Sequence, residues 1–125
     1  MFKDKRGNYR LKIAFDFDDT LTEPLLFLLA QRLIRKGHDV WILTARCSYD
    51  QYLKYFPTKS KQSLDFNDDL LEAAEELGLE DKIIYTDNED KKDFFVKHNF
   101  DILFDDDADW HCNPICEAGG IAINI

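Results

Sequence analysis

The chain has 125 residues, of which 45% are hydrophobic and 14% aromatic, and its formal net charge is -9. The length suits one domain over residues 1–125 and leaves no room for a second. The composition excludes a disordered chain, and the acidic balance argues against non-specific binding of nucleic acid over a broad surface. One phosphorylated end could still bind locally, particularly where a metal ion supplies positive charge.

Short apolar runs alternate with helical patterns along the chain. They predict strands over residues 11–15, 39–44, 82–86, 101–104 and 121–125, helices over 23–37, 66–78 and 91–99, and a short helix within 107–120. Pro24 suits a first helical turn, Gly37 and Gly78 suit helix ends, and Asn67 or a neighbour suits a cap. This alternation predicts an α/β fold: a doubly wound, Rossmann-like parallel sheet of five strands with helices on both faces.

Residues 46–65, "RCSYDQYLKYFPTKSKQSLD", show neither pattern clearly, and we predict an irregular loop there. The segment is rich in aromatic and basic side chains: Tyr49, Tyr52, Tyr55, Phe56, Lys54, Lys59 and Lys61. A long loop inside a compact domain is often functional. Both substrate recognition and local packing are open as its role.

The cysteines and the N-terminus indicate the compartment. The cysteine count is odd, at three, and the N-terminal "MFKDKRGNYR" is too polar for a signal peptide. The longest apolar run, "PLLFLLA", is too short to span a membrane. We therefore expect a cytoplasmic protein with free thiols and no membrane association. Cys112 and Cys116, beside His111, could suggest a metal site, but buried apolar cysteines are the favoured interpretation.

Polar side chains follow three of the predicted strands. Asp16 and Asp18 follow the first strand, Thr44 ends the second, and Asp105 and Asp106 follow the fourth. The carboxyl ends of parallel strands meet at one edge of a sheet, where ligands bind. So many acids at one edge require a cation.

Acids in this arrangement suit phosphoryl chemistry. One carboxylate can attack phosphorus, and a second, when protonated, can give its proton to the leaving oxygen. Magnesium prefers oxygen ligands, and it would cancel the repulsion between carboxylate and phosphate. Asp16 and Asp105, from two strands, would suit such an ion.

Four motifs resemble those of the haloacid-dehalogenase-like phosphohydrolase superfamily, over nearly the whole chain. "DFDDT" (16–20) matches the first motif, DxDx[TV], and "VWILTAR" matches the second through Thr44. The third is a lysine opening the helix before the fourth strand, with Lys91 preferred over Lys92. The fourth is a pair of acids after that strand, matched by residues 105–106. The short segments between motifs resemble the capless members, without a large cap domain, and the nucleotidase and polynucleotide-end phosphatase branches.

The resemblance implies the following catalytic roles. Asp16 would be the nucleophile, and Asp18 the general acid and then the base that activates water. Thr20 would fix the geometry of the loop. Thr44 would bond a phosphate oxygen, and Lys91 would offset charge on the nucleophile and the phosphate.

The resemblance also implies a Mg²⁺ site. Asp16 and the main-chain carbonyl of Asp18 would hold the ion, with Asp105 completing the site and Asp106 assisting.

Arg46 could hold substrate phosphate, or it could pair with an acid. Many relatives carry glycine after the second acid of the first motif, where this chain has an aspartate at position 19.

The function expected from these motifs is magnesium-dependent hydrolysis of a phosphomonoester through an aspartyl-phosphate. A nucleotide or a nucleic-acid end is the leading substrate, since the aromatic segment could stack a base. The alternatives are a phosphoprotein or small metabolite as substrate, phosphotransfer to an acceptor other than water, and a catalytically idle binding module. The oligomeric state is not indicated by the sequence.

Overall fold

The computed structural model describes residues 2–3 and 7–125. Its strands, in chain order, are β1 (Phe2–Lys3), β2 (Tyr9–Arg10), β3 (Lys12–Phe15), β4 (Asp39–Thr44), β5 (Ile83–Tyr85), β6 (Ile102–Asp105) and β7 (Ile121–Asn124). Its α-helices are α1 (Pro24–Arg35), α2 (Tyr49–Tyr55), α3 (Asp68–Leu77), α4 (Lys91–Lys97) and α5 (Asn113–Glu117).

Strands β3 to β7 form a single parallel sheet in the order β5-β4-β3-β6-β7. This confirms the predicted α/β fold with a five-stranded parallel sheet. Strands β1 and β2 pair separately in a short antiparallel ribbon, which was not predicted. The chain adds β4 and β5 on one side of β3, and β6 and β7 on the other. The winding therefore reverses between β3 and β6, and in open α/β sheets ligands bind at such a switch point.

Helices cover both faces of the sheet, as predicted. Ile13 and Phe15 of β3 pack in one apolar cluster with α1 and α3. Ala14, between them, packs in the opposite cluster with Phe95 of α4 and Ile115 of α5. This division follows from the alternation of side chains along a strand. Because both faces are apolar, the polar residues that follow the strands collect at the sheet's edge.

Most predicted boundaries lie within two residues of the observed ones. The strand predicted over 39–44 matches β4 at both ends, Pro24 opens α1, and Gly78 ends α3 with a left-handed φ of 72°. Only glycine adopts that conformation without steric cost, so it terminates the helix. Among the described residues, no helix combines the length and apolar character needed to cross a membrane.

The prediction for residues 46–65 was wrong in part, and the predicted cap at Asn67 is correct in position only. The segment 46–65 is not an irregular loop throughout, because it contains the seven-residue helix α2. Ser48 and Gln51 form a reciprocal capping box at its start, a sequence signal that the aromatic composition obscured. Asn67 precedes α3 but makes no side-chain cap; its amide donates instead to the Cys47 carbonyl oxygen at 2.8 Å.

Candidate functional site

The turn after β3 delivers two acids to different environments. The Asp16 N–H donates to the Phe104 carbonyl oxygen of β6 at 2.9 Å, which extends the strand pairing to the sheet's edge. The chain then turns over Phe17–Leu21, whose two terminal apolar side chains are buried. Asp16 is only 6% exposed, whereas the side chain of Asp18 is 54% exposed. Of the two acids that define the first motif, one is therefore buried and the other is exposed.

Asp16, Lys91 and Asp105 form a hydrogen-bonded group, here called the buried triad. Lys91 Nζ lies 2.7 Å from Asp16 Oδ1 and 2.7 Å from Asp105 Oδ2. The side chains of Lys91 and Asp105 are fully buried. The Thr20 hydroxyl donates to Asp16 Oδ2 at 3.1 Å, and the Asp107 N–H donates to Asp105 Oδ1 at 2.9 Å. The side chain that opens α4, and not that of its neighbour at position 92, thus bridges two strand ends.

The buried triad holds one more carboxylate than cation, and its electrostatics reflect this. Burial raises the pKa of Asp16 to about 7, against the lowering effect of Lys91 and with a further rise from Asp105. Burial opposes ionisation of Asp105 too, but His111, Lys91 and the Asp107 N–H together hold its pKa below its usual value. An additional cation would therefore stabilise this site in its fully ionised form.

The residues present fit a hard divalent cation. Carboxylate oxygens of Asp16, Asp105 and Asp106 all lie within 4.8 Å of one another. Magnesium prefers such oxygen ligands. Asp106 is exposed, so water can reach this side of the group. The Asp18 carboxyl is not in this group; the resemblance assigns its main-chain carbonyl to the metal.

Asp18, Arg46 and Asp69 form a second group, here called the exposed clamp. Arg46 Nε and Nη2 donate to the two carboxylate oxygens of Asp18 at 3.0 and 2.7 Å. Arg46 Nη1 and Nη2 donate to the two oxygens of Asp69 at 2.7 and 3.0 Å. The guanidinium also lies over the Phe17 ring, 4.9 Å from its centroid. Of the two roles open for Arg46, the structure shows pairing with acids.

Thr44 lies at the same edge, at the end of β4. The pairing of Phe15 with Ile42 in parallel register brings Thr44 beside the turn that begins at Asp16. Thr44 is fully buried, and its hydroxyl oxygen accepts from the Arg46 N–H at 3.2 Å. Its hydroxyl can therefore donate toward a ligand at the edge.

The aromatic residues of segment 46–65 pack largely on one another. The Tyr52 ring lies 4.6 Å from that of Phe56 and 5.2 Å from that of Phe66, and Tyr49 lies 5.0 Å from Phe66. Tyr55, by contrast, is 70% exposed. Local packing thus accounts for most of the segment, and Tyr55 and one side of Phe56 stay accessible.

Three polar residues near the site were missed by the sequence interpretation. Asp69 resembles any acid in the first turn of a helix, where acids favour the helix dipole. Asn67 is 1% exposed and bonds the chain after β4. His111, considered in the sequence as a neighbour of Cys112, has Nδ1 3.2 Å from Asp105 Oδ2. The contacts of Asp69 and Asn67 join distant parts of the chain, and no local pattern marks any of the three positions.

The cysteines do not form a metal site in the described part of the chain. Cys112 and Cys116 belong to no cluster of three or more metal-binding side chains there. All three cysteines are free thiols. Cys112 is buried, as predicted, and burial raises its pKa to about 11, whereas Cys116 is exposed, contrary to prediction.

Comparisons of the chain with protein-family models, with curated proteins and with solved structures find no match. Function must therefore be inferred from the residues at the carboxyl edge. Two features there stand out: a buried carboxylate bridged by lysine beside a group of oxygen ligands, and an exposed carboxylate gripped by arginine.

Proposed function

We propose that this protein is a magnesium-dependent phosphomonoester hydrolase that works through an aspartyl-phosphate on Asp16. The observation that carries the proposal is the buried triad beside Asp106. A carboxylate held by lysine, next to enough oxygen ligands for a divalent cation, suits attack on a phosphate better than a structural ion pair. A structural ion pair of one lysine and one aspartate would not need a second and a third acid beside it.

The chemistry would run in two steps on these side chains. An Asp16 carboxylate oxygen bonds to phosphorus while the bond from phosphorus to the ester oxygen breaks, and the departing oxygen takes a proton from Asp18. Water then attacks the aspartyl-phosphate and gives a proton back to Asp18. Phosphate leaves and Asp16 is restored, so one water is consumed for each alcohol and phosphate released.

The side chains around the nucleophile would hold the phosphate. Thr44 would donate its hydroxyl to a phosphate oxygen, and Lys91 would offset negative charge on Asp16 and the phosphate. Asp16, Asp105 and Asp106, with the Asp18 main-chain carbonyl, would hold magnesium. The ion would supply the positive charge that lets two anions meet.

A nucleotide or a nucleic-acid end is the substrate we propose. The support is the accessible face of Tyr55 and Phe56 on the segment that leaves β4, where a base could stack. A panel of phosphomonoesters, including nucleoside monophosphates with different bases, tests this. Discrimination among bases supports the proposal, and equal rates with sugar phosphates or phosphopeptides would favour the other substrates.

Trapping the covalent intermediate tests the reaction itself. The protein is mixed with p-nitrophenyl phosphate and Mg²⁺, quenched in acid and digested, and the peptide containing Asp16 is weighed by mass spectrometry. We expect Asp18→Asn to accumulate phosphoryl mass on that peptide. An aryl oxide leaves without a proton donor, whereas water attack needs the base.

Asp19→Asn is the matched control, because it removes an exposed charge from the same turn. It should retain turnover and should not accumulate the intermediate. Asp16→Asn should neither turn over nor become labelled; full activity in this variant would contradict the proposal. If the wild-type protein turns over no ester in the panel, the protein is a binding module and not an enzyme.

A further inference from the structure

The exposed clamp joins two elements that are far apart in the chain. Arg46 follows β4, Asp18 lies in the turn after β3, and Asp69 lies in the first turn of α3. The Arg46 guanidinium makes two hydrogen bonds to each carboxylate, using two adjacent edges of its planar fork that share Nη2. Such paired contacts fix the plane of the group as well as its position.

Asp69 is the fixed end of this clamp. Its Oδ1 also accepts from the Leu70 N–H at 2.9 Å, which ties the carboxylate to the helix backbone. Arg46 Nη1 makes a further contact, at 3.0 Å, to the Phe66 carbonyl oxygen just before α3. The start of α3 therefore holds the Nη1–Nη2 edge of the guanidinium. Because the group is planar, this also fixes the orientation of the Nε–Nη2 edge that faces Asp18.

Asp18 depends on Arg46 for its orientation. Its side chain is 54% exposed, and the two hydrogen bonds that its carboxylate receives in the described structure both come from Arg46. An exposed aspartate without such a partner samples several rotamers. Proton transfer requires the donor to lie within hydrogen-bond reach of the accepting oxygen. The orientation of Asp18 thus matters directly for the reaction proposed above.

We infer that Asp69 is a positioning residue: through Arg46 it holds the Asp18 carboxyl where it gives a proton to the leaving-group oxygen. This inference rests on the proposed function. While Asp18 carries the proton, one of its oxygens can still accept from Arg46 and the other carries the proton toward the departing ester oxygen; once the proton has left, both oxygens accept from Arg46. Asp69 is not among the carboxylates that the structure groups for a metal ion.

Leaving-group dependence separates this role from a merely structural one. We compare p-nitrophenyl phosphate, whose leaving group departs unprotonated, with an alkyl phosphate, whose leaving group needs the proton. The steady-state kcat also depends on Asp18 as the base of the second step, so we measure release of the leaving group in a single turnover with enzyme in excess. In Asp69→Asn we expect this release to slow about ten- to hundred-fold with the alkyl ester. With the aryl ester we expect it to slow by less than about threefold, since proton donation contributes little there.

Two further variants complete the experiment. Arg46→Lys should give the same selective loss, because an ammonium cannot grip both carboxylates in a fixed plane. Asp69→Glu, which keeps the carboxylate, should recover part of the alkyl-ester activity. Glu72→Gln removes an equal charge from an exposed position one turn along α3, and it should affect neither ester.

The opposing results are distinct. If Asp69→Asn slows the release of both leaving groups equally, or of neither, Asp69 does not position the proton donor, although the phosphatase proposal stands. If the wild-type protein hydrolyses neither ester with Mg²⁺, the proposed function fails and this inference fails with it. Circular dichroism of each variant confirms that the fold is retained before rates are compared.

Discussion

The buried triad and the exposed clamp are built alike, with one cation between two carboxylates. In the buried triad, Lys91 and Asp105 have no exposed side-chain surface. In the clamp, the side chains of Asp18 and Asp69 are more than half exposed. The same charges therefore act through low-dielectric protein in one group and mostly through water in the other.

This difference separates a rigid group from an adjustable one. In the buried triad, desolvation raises the pKa of Asp16, and removal of the one cation would leave two buried carboxylates without compensation. In the clamp, hydrogen bonds from Arg46 lower the pKa of Asp69. Water screens the attraction between the exposed charges. This contrast agrees with the roles proposed above, in which Asp16 is a nucleophile that stays fixed and Asp18 is a proton donor that releases and regains a proton.

Removing Lys91 should have the largest effect on stability. Lys91→Met leaves two carboxylates buried without their shared cation, and we expect a loss of about 3–5 kcal/mol in the free energy of unfolding at pH 7. Urea unfolding followed by circular dichroism measures it, with chelator present to keep the triad free of metal. Lys92→Met, at the next and partly exposed position, should change stability by less than about 1 kcal/mol. Equal stability of Lys91→Met and Lys92→Met would mean that the charge of Lys91 does not stabilise the two buried carboxylates.

Adding magnesium should have the next largest effect, and on the triad alone. At free Mg²⁺ one hundred times its dissociation constant, we expect about 2.7 kcal/mol of stabilisation. This corresponds to a rise in melting temperature of roughly 10 °C. Differential scanning calorimetry with Mg²⁺ or with chelator measures the rise.

Two variants assign that magnesium effect to one of the two groups. Asp105→Asn should abolish the rise, because it removes a ligand that the structure places beside Asp16 and Asp106. Asp69→Asn should keep it. If the melting temperature of Asp105→Asn still rises with Mg²⁺, the metal binds outside the buried triad.

Removing Arg46 should cost less. Arg46→Ala breaks the clamp but leaves its acids in water, so we expect a loss of only about 1 kcal/mol. The loss should shrink in 1 M NaCl, where exposed charges are screened, whereas the Lys91→Met loss should persist. Urea unfolding at low and high salt compares them. Similar salt dependence in both variants would contradict the proposed contrast.

The clamp's contribution should also depend on pH with a definite sign. Arg46 holds the pKa of Asp69 below its usual value of 3.8. The folded state therefore binds the proton less readily than the unfolded state, and the stabilisation is fully present above pH 3.8. As pH falls through the lowered pKa, the difference between wild type and Arg46→Ala should decrease. An increase would show that the clamp is not an ion pair in solution.

The sequence predicts the sheet and the meeting of Asp16 with Asp105 at one edge of it, for a physical reason. Apolar runs such as 39–44 can be buried only as strands or core helices, and alternation with helical patterns leaves the parallel sheet as the simple solution. Asp16 and Asp105 then meet because their strands are neighbours in the sheet. The alternation of strand and helix patterns, with the rule that parallel strands end at one edge of a sheet, is sufficient to predict that these acids meet.

The clamp could not be predicted in the same way. Asp69 pairs with a residue 23 positions earlier, across a loop whose path depends on the capping box of α2 and on the buried Asn67. An acid at a helix start has an adequate local explanation in the dipole, so nothing in its neighbourhood indicates a partner. Contacts of this kind follow from loop conformation and not from periodicity.

Replacing Asp19 by glycine should have the smallest effect of these substitutions. Asp19 lies in the turn shared by the buried triad and the exposed clamp. It is exposed and has φ of 58°, in the left-handed region, in the same turn that sends Asp16 to the triad and Asp18 to the clamp. Aspartate tolerates this conformation better than most residues, and glycine adopts it freely. This explains why an acid can stand where the resembled family often has glycine.

We expect Asp19→Gly to change the free energy of unfolding by no more than about 0.5 kcal/mol, because relief of strain is offset by greater freedom of the unfolded chain. Asp19→Val should instead destabilise the protein by about 1–2 kcal/mol, since a branched side chain strains this backbone. Urea unfolding of both variants decides the point. If valine is tolerated as well as glycine, the left-handed turn is not what separates the two acids.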